Sequence, residues 1–169
     1  MPTHFAQETR NLFVSLSDTV RGGLFTTLVL LSGIIGQILG GILGDKYSKP
    51  KMLLLVILLN IPLLILMGFT SGIVLVLFGI LLGITHFIWQ PVGNALIAQI
   101  SHSKHRGLSY GINFFLSFGV GALAATVGGV IAENMGVSLV FPIMAAFFIP
   151  GFLLVLPLIR TIESSKSKR

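Results

Sequence analysis

The sequence has no cysteine, only five acidic residues, and only 9% charged side chains over 169 residues. Without cysteine there is no disulfide framework and no thiolate-held metal, and the redox compartment stays open. The scarcity of charge excludes more. An average soluble domain carries about 25% charged residues, and a water-soluble protein of this length could not cover its surface with so few. Several chemical signatures are also missing: there is no Walker loop, no Ser-His-Asp arrangement and no HExxH. ATP hydrolysis and the familiar hydrolytic chemistries therefore find no support, and no enzyme activity is expected. No strand precedes the glycines between Gly119 and Gly129, so they form no dinucleotide loop and no cofactor is expected. His102 and His105 have no carboxylate or cysteine near them, and no metal site is expected there. Met1-Pro2-Thr3-His4-Phe5 has neither a basic region nor an apolar core and is not a signal peptide.

What the sequence does have is hydrocarbon. The apolar fraction is 54% and the mean hydropathy is +0.98, which is the composition of a polytopic membrane protein. A helix needs about 20 apolar residues to cross a bilayer core of about 30 Å. Five uncharged runs meet or approach that length: Leu24–Gly44, Met52–Phe69, Ile73–Ile100, Gly107–Ala132 and Val137–Ile159. Their lengths and the lack of period-two alternation predict helices rather than barrel strands. The fold class is all-α, a bundle of five transmembrane helices over 23–160. Residues 1–22 read as an extracytoplasmic leader, or the end of a missing helix, and 161–169 as a basic cytoplasmic tail. Asn60-Ile61-Pro62 interrupts the shortest run and predicts a kink. Ser17 or Asp18 is placed to cap the first long helix.

Lysine and arginine set the orientation. Lys46, Lys49 and Lys51 fall in the 45–51 turn, Lys104 and Arg106 in the 101–106 loop, and Arg160, Lys166, Lys168 and Arg169 at the end of the chain. With five spans these nine share one side, against Arg10 and Arg21 on the other. The expected arrangement is a multi-pass protein of the cell membrane, with its N-terminus outside and its C-terminus in the cytoplasm. The net charge of +6 follows this topology, so lipid surrounds the chain and no nucleic-acid partner is expected.

Two glycine patterns stand out. Gly36, Gly40 and Gly44 recur at four-residue spacing in the first long run. Ser117, Gly121, Ala125 and Gly129 do so in the fourth. Such stripes let helix backbones approach closely in lipid, either as ordinary bundle packing or as a smooth surface along which helices slide. Asp45 ends the first run, where the helix dipole disfavours an anion by about 0.3–1 kcal/mol. It is either a solvated turn charge or a carboxylate that accepts hydrogen bonds from a neighbouring helix N-terminus or pairs with an arginine. Arg106, on the same side, is the in-chain candidate.

The third run carries the most polar content. His86, Gln90, Asn94 and Ile97 share one face at helical spacing, with Trp89 beside it. Polar side chains at membrane depth are costly and usually face a bundle interior or a water-filled cavity. His86, Trp89, Gln90 and Asn94 are therefore the solute-cavity candidates. His86 is the one residue within the five runs that titrates near neutral pH, so it is either a proton-coupling group or a packed, hydrogen-bonded histidine.

Gly41, Asp45, Lys46, Ser48 and Lys51, in the order Gly-x-x-x-Asp-Lys-x-Ser-x-x-Lys, resemble the cytoplasmic signature loop of the major facilitator superfamily. Ser48 stands where that pattern has a second glycine, and Pro50 where it has a basic residue. Arg106-Gly107-Leu108-Ser109-Tyr110-Gly111, with Gly119-Val120-Gly121 and Gly128-Gly129, resembles the fifth helix of a superfamily half. Gln90-Pro91-Val92-Gly93-Asn94-Ala95 resembles part of the helix before it. The resemblance covers about residues 20–160 and implies helices eight to twelve of a twelve-helix transporter. It implies secondary transport of a small solute by alternating access, with Gly41, Asp45, Lys46, Lys51 and Arg106 in the gating loop. The chain would be incomplete alone, with a separate or missing N-terminal half as its partner. The alternative is a non-transporting membrane scaffold or regulatory subunit.

Overall fold

The computed structural model describes the backbone from Met1 to Ser167 and the side chains from Met1 to Thr161. The side chains of Lys166, Lys168 and Arg169, in the expected basic tail, lie outside the described residues. Seven α-helices make up most of this range, with turns over residues 9–17: α1 (Pro2–Glu8), α2 (Asp18–Lys46), α3 (Lys49–Phe69), α4 (Gly72–Ile100), α5 (Arg106–Met135), α6 (Val137–Ala146) and α7 (Phe148–Ser167). Five stretches are long and apolar enough to cross a membrane: α2, α3, α4, α5 with the 3-10 turn before it, and α6 with α7.

Local chemistry sets the helix boundaries. Ser17 caps α2, its hydroxyl accepting from the Val20 amide at 3.4 Å. Between α2 and α3 only Tyr47 and Ser48 are non-helical, and Pro50 lies in the first turn of α3, where its missing N–H costs nothing. Pro62 lies inside α3 without ending it. The last span, by contrast, divides at Phe147 into α6 and α7. Pro150 explains the division: it cannot donate to the carbonyl of Ala146, and its ring crowds that oxygen.

The spine of the bundle is the contact of α2 with α4, and it is made by glycine. A Cβ added at Gly40 would lie 2.6 Å from the Ile88 carbonyl oxygen and 2.7 Å from Pro91. One at Gly44 would lie 3.2 Å from Val92, and Gly36 rests directly on the backbone of Ile84. Backbones meet here because no side chain intervenes, the packing mode that lipid favours. Ser32 ties the same pair together, its hydroxyl within 3.0 Å of the Ile80 carbonyl. α3 packs beside α4 and against α6, burying Leu64 and Met67 with Leu75, Leu82 and Phe141, and Met52 and Val56 with Ile88 and Val92.

Residues 1–22 pack onto the bundle. α1 lies across α2 and touches α4 and α6, and His4, Phe5 and Thr9 are fully buried. Gly22, in the first turn region of α2, receives the Pro2 carbonyl. Arg21 is buried at 3% exposure, pairing with Asp18 and donating to the carbonyls of Leu16 at 3.2 Å and Ala6 at 3.0 Å.

None of the residues of α5 is buried, and the same is true of the described part of α7; α5 leans on α6 and on the C-terminal part of α4. Gly121 and Gly129 have no described atom within 4 Å of an added Cβ, so no neighbouring helix is pressed tightly against them; Gly121 and Ala125 border an open cavity shared with α6.

Candidate functional site

The polar face of α4 opens into a cleft of about 320 Å³ walled by α4 and α5, with Leu53 of α3 at its edge. From α4 come Trp89, Gln90, Asn94 and Ile97; from α5 come Asn113, Phe114, Ser117 and Phe118. α5 is held over it by Tyr110, whose hydroxyl donates to the Asn94 carbonyl at 3.0 Å. Opposite the cleft, Gln37 of α2 donates from Nε2 to Oε1 of Gln90 at 3.2 Å. Phe114 and Phe118 stack, with centroids 6.2 Å apart and planes at 22°.

Three of the four cavity candidates, Trp89, Gln90 and Asn94, thus line one cleft. His86 does not join them. It lines a separate cavity of about 340 Å³ among Val29, Leu64, Leu82, Met144 and Phe148, with its ring edge-on to Phe87 at 5.8 Å. One turn of α4 separates His86 from Gln90, but α5 covers only the later turns, so the shared face divides into two environments.

Sequence reasoning passed over Gln37, Asn113 and Ser117 as cleft or supporting residues. A signal existed for the last two: they sit four apart on α5, the spacing that puts them on one face. Gln37 follows Gly36 in the glycine stripe and carries no periodicity of its own. Asn60 is a further case: fully buried on α3, with Oδ1 accepting from the Thr85 hydroxyl at 3.1 Å and Nδ2 unpartnered.

The signature residues gather at the basic end of the bundle. Gly41 is half-buried with open space beside it, and Asp45 and Lys46 sit in the last turn of α2, both exposed. Lys46 Nζ lies 5.5 Å from the Tyr47 ring centroid. Lys51 lies in the first turn of α3, and Arg106 begins α5 as an exposed side chain. The expected in-chain pairing of Asp45 with Arg106 is not made: the ion pair found among the described residues is Arg21–Asp18. Both groups stand in solvent at a helix end, where hydration offsets most of what a pair would gain. No group of three or more potential metal ligands occurs among the described residues.

At the opposite end His4 Nε2 meets the Met67 carbonyl at 2.7 Å, and its ring packs 4.5 Å from that of Phe141. Burial pushes this imidazole below the usual histidine range, with the Met67 hydrogen bond and Glu8 opposing.

The family model of the major facilitator superfamily matches residues 3–169, almost the whole chain. The chain belongs to the major facilitator superfamily. Its members are transporters rather than enzymes, and five spanning helices make this one a multi-pass membrane protein. Nothing matches it among curated proteins or among solved structures. Within the superfamily bundle, the α4–α5 cleft is the place where uncharged polar side chains converge in an apolar chain, and the α2–α3 turn carries the signature residues.

Proposed function

We propose that the chain forms helices eight to twelve, the C-terminal part, of a secondary transporter that moves a small solute by alternating access. The α4–α5 cleft is the solute-contacting wall. Asp45 with Lys46, Lys51 and Arg106 forms half of a cytoplasmic latch whose other half is supplied by a separate set of helices. The observation that carries this reading is the convergence of Gln90, Asn94, Asn113 and Ser117 on one cleft within the membrane-spanning region, where polar groups are costly unless used. The unburied α5, with its glycine stripe uncovered, supports a moving interface with the partner half. The lysine and arginine bias supports placing the basic end in the cytoplasm of a cell-membrane protein.

The test is uptake in proteoliposomes holding the chain with and without a co-expressed N-terminal half of the same superfamily. Uptake that needs both is the expected result. No uptake with either, from protein that is folded and inserted, favours a scaffold or regulatory subunit. Orientation is checked separately. Because the chain has no cysteine, single cysteines at Ser103 and Val14 can be labelled by an impermeant thiol reagent in intact cells, and only the Val14 site should react.

A further inference from the structure

The reading of the α4–α5 cleft as a solute site leaves the kind of solute open, and the side chains that line it narrow the choice. No lining residue is ionisable: the polar groups are the amides of Gln90, Asn94 and Asn113, the Ser117 hydroxyl and the Trp89 indole. A charged solute resting in this cleft would give up part of its hydration and find no counter-charge among these side chains. Uncharged hydrogen-bonding groups lose far less, and amides can both donate and accept.

The hydrogen-bonding capacity of the cleft is largely unspent. The side chains of Asn94, Asn113 and Ser117 make no hydrogen bond to another described residue, while Asn94 is tied to Tyr110 through its backbone alone. Gln90 is the exception, and an informative one. Its Oε1 is occupied by Gln37, which leaves the Gln90 NH₂ group as the free donor. Gln37 is thus a positioning residue, fixing which end of the Gln90 amide is offered. Around these groups the wall is aromatic, with Trp89, Phe114 and Phe118 offering flat faces. Clefts that hold small molecules run from about 300 to 1,000 Å³, and at about 320 Å³ this one is at the small end.

We propose that the cleft binds a small, uncharged, hydroxyl-rich solute. Its hydroxyl oxygens accept from Gln90 and Asn113, its hydroxyl protons go to Asn94 and Ser117, and its C–H face lies on the aromatic wall. On this wall, selection against charge comes from the absence of any ionised side chain, and selection for hydroxyls from amide and hydroxyl groups that make no hydrogen bond to another described residue. A site built to hydrogen-bond a solute rejects analogues that leave its polar groups empty.

Trp89 supplies the readout, because it is the one tryptophan in the sequence and it lines the cleft. The full chain in lipid nanodiscs is titrated with glucose, glucuronate and glucosamine, which share a ring and differ in charge, while Trp89 emission is recorded. The expected result is a saturable change with glucose, and at least tenfold weaker responses to the two charged analogues. Asn113→Leu should weaken glucose binding tenfold or more, and Gln37→Leu by a smaller factor, with Gln37→Asn restoring little of it. Far-UV circular dichroism checks that each variant is folded. Because binding is read at equilibrium, failed uptake does not affect the outcome. Tighter binding of a charged analogue would overturn the solute class while leaving the cleft as the site. A saturable response unaltered by Asn113→Leu, or no saturable response to any of the three, would overturn both.

Discussion

The backbone of α2 at Gly36 rests on the carbonyl of Ile84 in α4, so close that even a methyl group at Gly36 would overlap that oxygen. The neighbouring backbone cannot yield without moving two spans. Gly36→Ala should therefore destabilise the bundle by about 1–3 kcal/mol, the usual cost of overpacking. Gly121→Ala meets nothing within 4 Å and should be neutral or gain up to about 1 kcal/mol from helix propensity. Reversible unfolding in mixed micelles compares the two. Equal losses at both positions would mean that the α5 stripe is covered by a partner.

His4 couples the α1 strap to pH. Its folded pKa is lowered by burial, against which the Met67 carbonyl and Glu8 act in the raising direction and the terminal amine in the lowering direction. A lowered histidine pKa means that the undocked state binds the proton more tightly. Docking strength is then complete above the free-histidine pKa of about 6.5 and falls as pH drops below it, levelling off under the folded pKa. Protease cleavage within residues 9–16 should accelerate several-fold between pH 7.5 and pH 5, relative to a site in an unstructured tag. His4→Gln, which keeps a donor for the Met67 carbonyl, should flatten the profile. A variant that retains the same acceleration would assign it to another group.

Asn60 offers a prediction about a buried polar group that contributes little. Its partner, the Thr85 hydroxyl, also has its own-helix carbonyls at Leu81 and Leu82 within 2.9 and 3.2 Å, and its Nδ2 is unpartnered. Interhelical hydrogen bonds in membrane proteins average about 0.6 kcal/mol. Asn60→Leu should change stability by less than about 1 kcal/mol, because Thr85 keeps an acceptor and an orphan donor is removed. A loss above about 2 kcal/mol in the same unfolding assay would show that the Nδ2 group has a partner, such as a bound water.

Asp45 is exposed at the end of α2 and makes no ion pair with Arg106, so neutralising it should not disturb this bundle. Asp45→Asn in the assembled transporter should reduce uptake tenfold or more while leaving expression, insertion and unfolding unchanged. Wild-type uptake would remove Asp45 from the latch; a matching loss of stability would make its role structural. His86→Gln separates a second function. If the pH dependence of uptake is the same in the variant and the wild type, His86 carries no coupling proton.

Five apolar helical spans and membership of the superfamily were legible in the sequence, and the physical reason is local. Crossing a bilayer demands long uncharged runs, and the Asp45–Lys51 turn must interrupt them with charge. The face of α4 bearing Gln90 and Asn94 was legible for the same reason, since helical spacing is a property of a single element. What only the tertiary structure decided lies between elements. Which of the two glycine stripes is tightly covered depends on what each one meets: Gly36, Gly40 and Gly44 meet α4, while Gly121 and Gly129 have no described atom within 4 Å of an added Cβ. His86 and Gln90, one turn apart, line different cavities because α5 reaches only one of them. The burial of His4 and Arg21 was invisible in a leader whose composition is mixed, because apart from Asp18, three residues before Arg21, their partners are backbone carbonyls of Met67, Leu16 and Ala6, which carry no side-chain signal. Hydrophobic length and period are written residue by residue, whereas pairing between distant backbone groups exists only after the helices have packed.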